Sequence, residues 1–558
     1  MSWFDPLIKP KALPFDYDEW AKKPFGERAK MLCQAWAKQG FGAPPSAMLF
    51  YVFKIGFYIA LWFFFCSFSN DLGSWSELSD WFFKIEALGK AIFWTMLMEV
   101  IGWGGGSGPL TGRYLPPFGA STYYLRCGTI KLPLLPGLPF IGSDRRSILD
   151  VGLYAVLLLL LLRICTAPEI TASIVLPVVL LLPMLGVLDR QIYLAARADV
   201  WFPAACCFLF PEQTPNALII CWFAVWFWAA FSKLTPSFSS VIAVMICNSP
   251  FLNWNFLKNR IFRDYPNDLR LSRSADYIAH FSTAVEFILP ILLLLSVILQ
   301  WNPSIVFSLL IGMALFHLFI FINFPAGVPM EWNVIMVYGG IVLFGFQNMH
   351  SPLLLNEPLL IALFSICFFA LPLIGHFFPK QVSFLMSMRY YAGTWAYSVW
   401  LFKKGVKMEK LEPNIVKSSS DLRQQLAHFY DEQTYMGALS RITAFRLMHL
   451  PGRALPQLLP KAVDEIDDYY WMDGEFIAGE VGGWNFGDAH FSSETMLNSI
   501  QKRCSFEEGE LRVIMVESPR LHNGKMHWRI HDAELGLVEE GEISVYDLKE
   551  VHPWSLEL

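Results

Sequence analysis

The sequence predicts an all-α polytopic membrane bundle of about eight to ten transmembrane helices followed by a small soluble α+β domain. Three observations carry that prediction. Of 558 residues 54% are hydrophobic and only 16% charged, with a mean hydropathy of +0.40, whereas a soluble domain runs near a quarter charged. Residues 47–378 hold nearly all the long apolar runs, while 403–558 are dense in Asp, Glu, Lys and Arg. Many of the apolar runs reach the roughly 20 residues that a spanning helix needs.

Taken in order, residues 1–46 form an N-terminal segment. Its first 20 residues lack the charged, apolar, small-residue order of a cleavable signal. Residues 25–38 have an amphipathic pattern bearing Arg28, Lys30 and Lys38, which suits a helix at the membrane surface. The bundle occupies 47–378, with spans expected at 47–67, 148–165, 170–188, 215–233, 277–300, 304–323, 331–348 and 353–378. Two shorter runs, 88–103 and 199–211, read as short spans or re-entrant pieces, which lipid tolerates only where protein or water covers the backbone.

Counting both gives ten spans, and the positive-inside rule agrees. Seven Lys and Arg precede the first span; Arg113, Arg126, Lys131, Arg145 and Arg146 follow the second; Lys258, Arg260, Arg263, Arg270 and Arg273 precede the span at 277. With ten spans these stretches and both ends are expected on the cytoplasmic side. Without a crossing at 199–211, everything after it flips. The Gly- and Pro-rich stretch 104–147 is too long for a simple connector.

Residues 379–558 form the C-terminal α+β domain. Helix spacing is expected at 421–450, where Leu422, Leu426 and Tyr430 recur. Strands are expected at 511–516, 526–530 and 541–545, with Asn523-Gly524 as a turn.

The net charge of -5 and a pI near 6.1 exclude nucleic acid as a partner, because no basic patch with stacking aromatics is visible. Membrane lipid is the expected partner, with a protein partner at the C-terminal domain as the other option. The ten cysteines contain no C-x-x-C pair and read as small apolar packing residues.

Ionisable groups inside spans are expensive, so each is a functional candidate. In 276–286, Asp276, His280, Thr283 and Glu286 are spaced 4, 3 and 3, covering about 120° of a helix as one polar stripe. A structural Glu286 paired with a neighbouring helix is the plain alternative. His317, near mid-span, is followed by Asn323, Pro325, Gly327, Pro329, Glu331, Trp332 and Asn333, a helix break that would expose carbonyls around a cavity; a lone helix-to-helix hydrogen bond is the plain alternative. Lys233 ends a Trp-rich span and either snorkels to the headgroups or is buried as a general base. Glu99 precedes a Gly-rich stretch and is either a helix-end carboxylate or a site residue.

His280, His317, His350 and His376 show no facing pair in register, so haem is not expected. No metal is expected either: Asp464, Asp467, Asp468, Asp473, Glu475, Asp488 and His490 read as solvated loops. Whether another cofactor is used stays open, a quinone or isoprenoid being the candidates.

The chain resembles a family of uncharacterised bacterial transmembrane proteins, of mycobacterial and proteobacterial type, carrying a domain of unknown function. The resemblance rests on Gly112, the run from Gly142 to Arg146, Phe231-Ser232-Lys233-Leu234, Pro325 to Asn333, and Gly483 to Asp488. It implies a bacterial inner membrane. Residues 215–348 are also similar to the HTTM domain of vitamin K-dependent γ-carboxylases, through the order Lys233-Leu234, Glu286, Phe316-His317 and Asn323. That resemblance implies Lys233 as a base, with Glu286 and His317 relaying or orienting protons.

Three functions therefore stay open. The first is an HTTM-like protein or enzyme acting on a quinone, isoprenoid or other lipid, with Lys233, Glu286 and His317 as catalytic residues and His280, Asn323, Glu331, Trp332, Asn333 and Glu99 binding the substrate. The second is a non-catalytic lipid-binding or scaffold protein, and the third a proton-coupled transporter.

Overall fold

Six helices are long and apolar enough to cross a membrane: Pro45–Cys66, Ile148–Thr166, Thr214–Phe231, Arg273–Ile298, Pro303–Asn323 and Pro358–Phe377. The computed structural model that contains them describes residues 5–104, 118–139, 141–323, 330–347, 353–484 and 489–557. Five of the six bury a third or less of their residues, whereas Thr214–Phe231 buries 61%, which makes it the central helix. Leu49, Leu159, Ile288, Ile311 and Leu359 stand exposed, one on each of the outer five, an apolar surface that only lipid would cover.

The shorter helices fill the inside. Ile85–Val100 is buried at every position from Ala87 to Val100; at about 1.5 Å per residue it is roughly 24 Å long. Its Lys90 donates to the carbonyls of Ile164, Cys165 and Ala167 at 2.5–3.1 Å. Those are unpaired acceptors at a helix end, which a cation satisfies. Met330–Gly340, continued by a π-helical turn over Ile341–Gln347, completes the inner layer, while Ala172–Leu188 leaves Leu176, Leu180 and Met184 exposed and stands with the outer helices.

The segment expected at 199–211 is one half of a broken pass. Asp189, paired with Arg146 and accepting from Leu132 N, lies on the side of the C-terminal domain. Gln213 accepts from Asn356 N ahead of the last long helix, whose other end meets the domain through Leu521 N donating to His376 O. Between them run two short helices, Arg190–Ala195 and Ala198–Cys207, joined at Arg197 with φ of 51°. That left-handed turn costs energy in a residue other than glycine and interrupts the helix.

A helix absent from the sequence reading, Phe238–Asn248, is almost wholly buried. Its apolar run is too short to span, and the chain uses it instead as a platform beneath the domain. A short hairpin, β1 (Phe262–Asp264) and β2 (Asp268–Leu271), follows it.

The C-terminal domain is built on five antiparallel strands: β3 (Tyr397–Lys403), β4 (Tyr469–Asp473), β5 (Leu511–Val516), β6 (Lys525–Asp532) and β7 (Gly536–Ser544), in the order β4-β3-β5-β6-β7. The last three coincide with the expected strands; β3 and β4 were not foreseen. β3, an interior strand, is buried on both faces, and its alternate side chains serve two cores. Trp400 and Phe402 pack with Ile477, Val481 and Ile500 of the covering helices. Val399 and Leu401 join a core continuous with the membrane bundle. The helix expected over 421–450 is split into Leu422–Ala427 and Glu432–Met448, because Asp431 caps a new start by accepting from Thr434 N at 2.9 Å.

The N-terminal helix Phe25–Gln39 does not turn its apolar face to lipid. Ala29, Leu32, Cys33 and Trp36 are buried in a core shared with Phe238–Asn248 and Glu432–Met448, and Arg441 donates to Gln39 Oε1 at 2.6 Å and Ala12 O at 3.1 Å. The basic stretches meet the same body: Asp144 accepts from Arg503 at 3.1 Å, Arg263 pairs with Glu550 at 2.7 Å and Lys549 with Asp276 at 2.6 Å.

At this junction His449 is fully buried, its Nδ1 donating to Phe445 O at 2.7 Å, and burial pushes its pKa down to about 3. The folded protein keeps it neutral where the unfolded chain protonates near 6.5. Its stabilising contribution is therefore complete above about pH 6.5 and lost progressively as pH falls toward 3, at up to about 1.4 kcal/mol per unit. Thermal unfolding between pH 7 and 5 should show a falling Tm, and His449→Gln should flatten that slope.

Candidate functional site

The central helix ends at Phe231, and the turn that follows, with Lys233 N donating to Ala230 O, leaves the Lys233 side chain pointing back into the bundle. Its Nζ donates to both carboxylate oxygens of Glu286; the side chains are 11% and 8% exposed. Glu286 is placed there by the helix Arg273–Ile298, whose inward stripe runs Ala275, Ala279, Thr283, Glu286, Pro290 and Leu293. His280 falls outside that stripe, on the exposed face, so the structure does not bring it to the site. Asp276 pairs with Lys549.

His317 lies across from the pair on the helix Pro303–Asn323. Trp226 Nε1 donates to its Nε2 at 3.1 Å, and its Nδ1 lies 2.9 Å from Asn333 Oδ1. An indole nitrogen can only donate, so His317 Nε2 is the acceptor and Nδ1 carries the proton given to Asn333. Both ring nitrogens are engaged.

These groups line one cavity of about 230 Å³ between the bundle and the domain. Its floor and walls are Val225, Trp226, Ala229, Phe316, Trp332 and Met336; its roof, Phe384, Tyr390, Tyr391, Trp395, Phe445 and Arg446, comes from the segment after the last long helix and from the domain. Arg446 is held by Asp473 at 2.6 Å and Glu475 at 2.6 Å. Burial works against its charge, but the two carboxylates outweigh it and push its pKa up. Ser282, Phe316 and Ile320 are half-buried and Phe319 is exposed, so one wall thins toward the lipid side between the Glu286 and His317 helices.

The other expected residues are placed next to the cavity or behind it. Trp332 lines it and donates from Nε1 to Glu99 at 2.8 Å. Arg197 stacks 4.1 Å from the Trp332 ring and pairs with Asp199 at 3.1 Å, which accepts from Tyr390 at 2.6 Å. Glu331 is buried against Lys54 at 3.5 Å, away from the lining. Asn323 accepts from Ser249 and donates to Phe319 O at 2.8 Å, tying two helices together rather than facing the space. Pro325, Gly327 and Pro329 lie outside the described residues, as do Gly112, His350 and Asn485 to Asp488.

Lys54, Lys90, Arg197 and Asp199 were missed although the rule that picked out Glu286 applies to them: each is a charge in an apolar run. Arg446 had no such signal, because it comes from a soluble helix. The acidic residues expected to be solvated are partly used in ion pairs, Asp467 with Arg28 and Asp473 with Arg446. Among the described residues no three His, Cys, Asp or Glu side chains are grouped to hold a metal.

A larger cavity of about 740 Å³ lies between the N-terminal segment and the domain, lined by Trp20, Phe25, Arg28, Lys407, Trp471 and Asp473 among others. None of the expected site residues lines it. Its Asp473 is the ion-pair partner of Arg446, which lines the first cavity.

Spans enclosing a roofed cavity define a multi-pass integral membrane protein. Residues 6–557 match the family described as transmembrane proteins of unknown function (DUF3556), and the chain belongs to that family. No curated protein and no solved structure matches the chain.

Proposed function

We propose that the protein binds a lipid-class molecule, a quinone, an isoprenoid or another lipid with a compact head, in the cavity around Lys233, Glu286 and His317. The observation that carries this is the cavity's make-up: mostly apolar and aromatic walls with a few convergent polar groups, the composition of small-molecule sites. About 230 Å³ suits a ring or head group, with any tail leaving past Phe319 and Ile320 into the bilayer. The same three residues carry the HTTM resemblance, and their convergence supports a related architecture. The positive-inside count supports a cytoplasmic domain, and the resemblance to bacterial transmembrane proteins supports a bacterial inner membrane.

Any chemistry would run through the ion pair as one unit. A lysine donating to a carboxylate has no lone pair to offer, so Lys233 acts as a base only after Glu286 has taken its proton. His317, with both nitrogens occupied, orients rather than transfers.

A photoreactive isoprenoid carrying a diazirine on its head tests the site. Peptide mapping should place the label on residues lining the cavity, around 225–233 and 316–336, and Ala229→Trp should remove at least four-fifths of it by filling the space. Label confined to the outer faces, at Leu159 or Ile311, would contradict the assignment.

A further inference from the structure

We infer that the cavity selects an uncharged ligand bearing a hydrogen-bond acceptor, and that Trp226, His317 and Asn333 set this selectivity as a relay of fixed polarity; the inference rests on the binding role just proposed. The relay starts from Trp226, whose indole N–H can only donate. It takes His317 Nε2 as acceptor at 3.1 Å, which leaves the proton on Nδ1. That proton commits Asn333 Oδ1 at 2.9 Å, so the amide cannot turn over. Asn333 Nδ2 is then held as the free end, a donor on a half-buried residue of the lining, and among the described residues it meets no acceptor.

Charge decides the second half. The cations of the wall are Arg197, Lys233 and Arg446; Asp199, Glu286, Asp473 and Glu475 stand against them. Three cations face four carboxylates, so an anionic ligand would have to break an existing pair to find a partner, and burying an unpaired charge is costly. A neutral carbonyl-type oxygen meets Asn333 Nδ2 without that cost. A hydrocarbon of the same shape leaves the donor unpaired. Asn333 is the contact residue; Trp226 and His317 are positioning residues.

Nanodiscs holding the full chain, with empty discs as background, test this with matched bicyclic probes: 2,3-dimethyl-1,4-naphthoquinone, 2,3-dimethylnaphthalene and 2-naphthoate. Wild type should retain the quinone about tenfold better than the hydrocarbon and retain naphthoate least. Asn333→Leu should bring quinone and hydrocarbon within about twofold of each other. Trp226→Phe should lower the same quinone-to-hydrocarbon ratio toward that of Asn333→Leu, because the ring and amide lose their fixed orientation; a merely structural role would lower both retentions alike and leave the ratio where it is in wild type. Equal retention of quinone and hydrocarbon by wild type, or best retention of naphthoate, overturns the inference and leaves the binding role standing. No probe held above empty discs, with the photolabel also absent from the cavity, overturns both.

Discussion

Removing either partner of the Lys233–Glu286 pair is expected to destabilise the protein by about 3–5 kcal/mol, because the remaining charge is stranded in a buried site. Replacing both with apolar residues of similar size, Lys233→Met with Glu286→Leu, is expected to be near neutral for stability, since the desolvation cost of two charges disappears with their attraction. Thermal unfolding in one detergent, across the two single variants and the double, gives the cycle. The double variant is the informative one: with the fold intact, whatever it no longer binds was bound by the pair. A double variant as unstable as the singles would mean that the pair holds the helices together and that no apolar packing substitutes for it.

The second large effect lies at Asp189. Its carboxylate takes the guanidinium of Arg146 and the backbone N–H groups of Leu132 and Gln191, and Arg146 is wholly buried with its charge against the rings of Tyr123 and Tyr124 at 5.4 and 4.8 Å. Asp189→Ala therefore strands a buried cation and two N–H groups at once. A loss of about 3–5 kcal/mol is expected, with poor recovery from the membrane fraction. Asp189→Asn should cost less, because it keeps an oxygen for the backbone donors. Adding Arg146→Met to Asp189→Ala should recover about half of the loss; no recovery would place the cost in the backbone bonds instead of the stranded charge.

The membrane helices were legible because composition over 20 residues is a strong signal: Pro45–Cys66, Ile148–Thr166 and Pro303–Asn323 lie within about two residues of the expected spans. Phe238–Asn248 was not, since burial under a domain needs no particular length. β3 was hidden for a related reason. Its sequence from Val399 to Phe402 is an unbroken apolar and aromatic run, because both faces are covered, so it lacks the alternation that marks a half-exposed strand. The amphipathic pattern at 25–38 was read correctly as a pattern. What covers its apolar face is protein from residues 238–248 and 432–448, a pairing across more than 200 residues that periodicity does not encode.

The site was legible in part. Lys233, Glu286, His317, Trp332 and Asn333 converge on the cavity, and each was chosen because a polar group inside a span has to be paired or used. His280 was chosen by the same spacing argument, and one residue's rotation, about 100°, puts it outside: the inward stripe runs 275, 279, 283, 286, in which His280 is one residue late. Asn323 and Glu331 are paired with Ser249 and Lys54, structural uses that residue type alone does not separate from binding. The roof, with Arg446, Trp395 and Tyr390, was out of reach, because it depends on how the domain sits on the bundle.

The central claim is that the cavity holds a lipid-class molecule through the polar groups around Lys233 and Glu286. Mass spectrometry of the lipid that remains with gently purified protein tests it most directly, wild type beside the cavity-filling Ala229→Trp variant. The account predicts one neutral quinone or isoprenoid enriched at about one per protein in wild type and reduced at least tenfold in the variant. Only bulk phospholipid in both, at equal amounts, would contradict it.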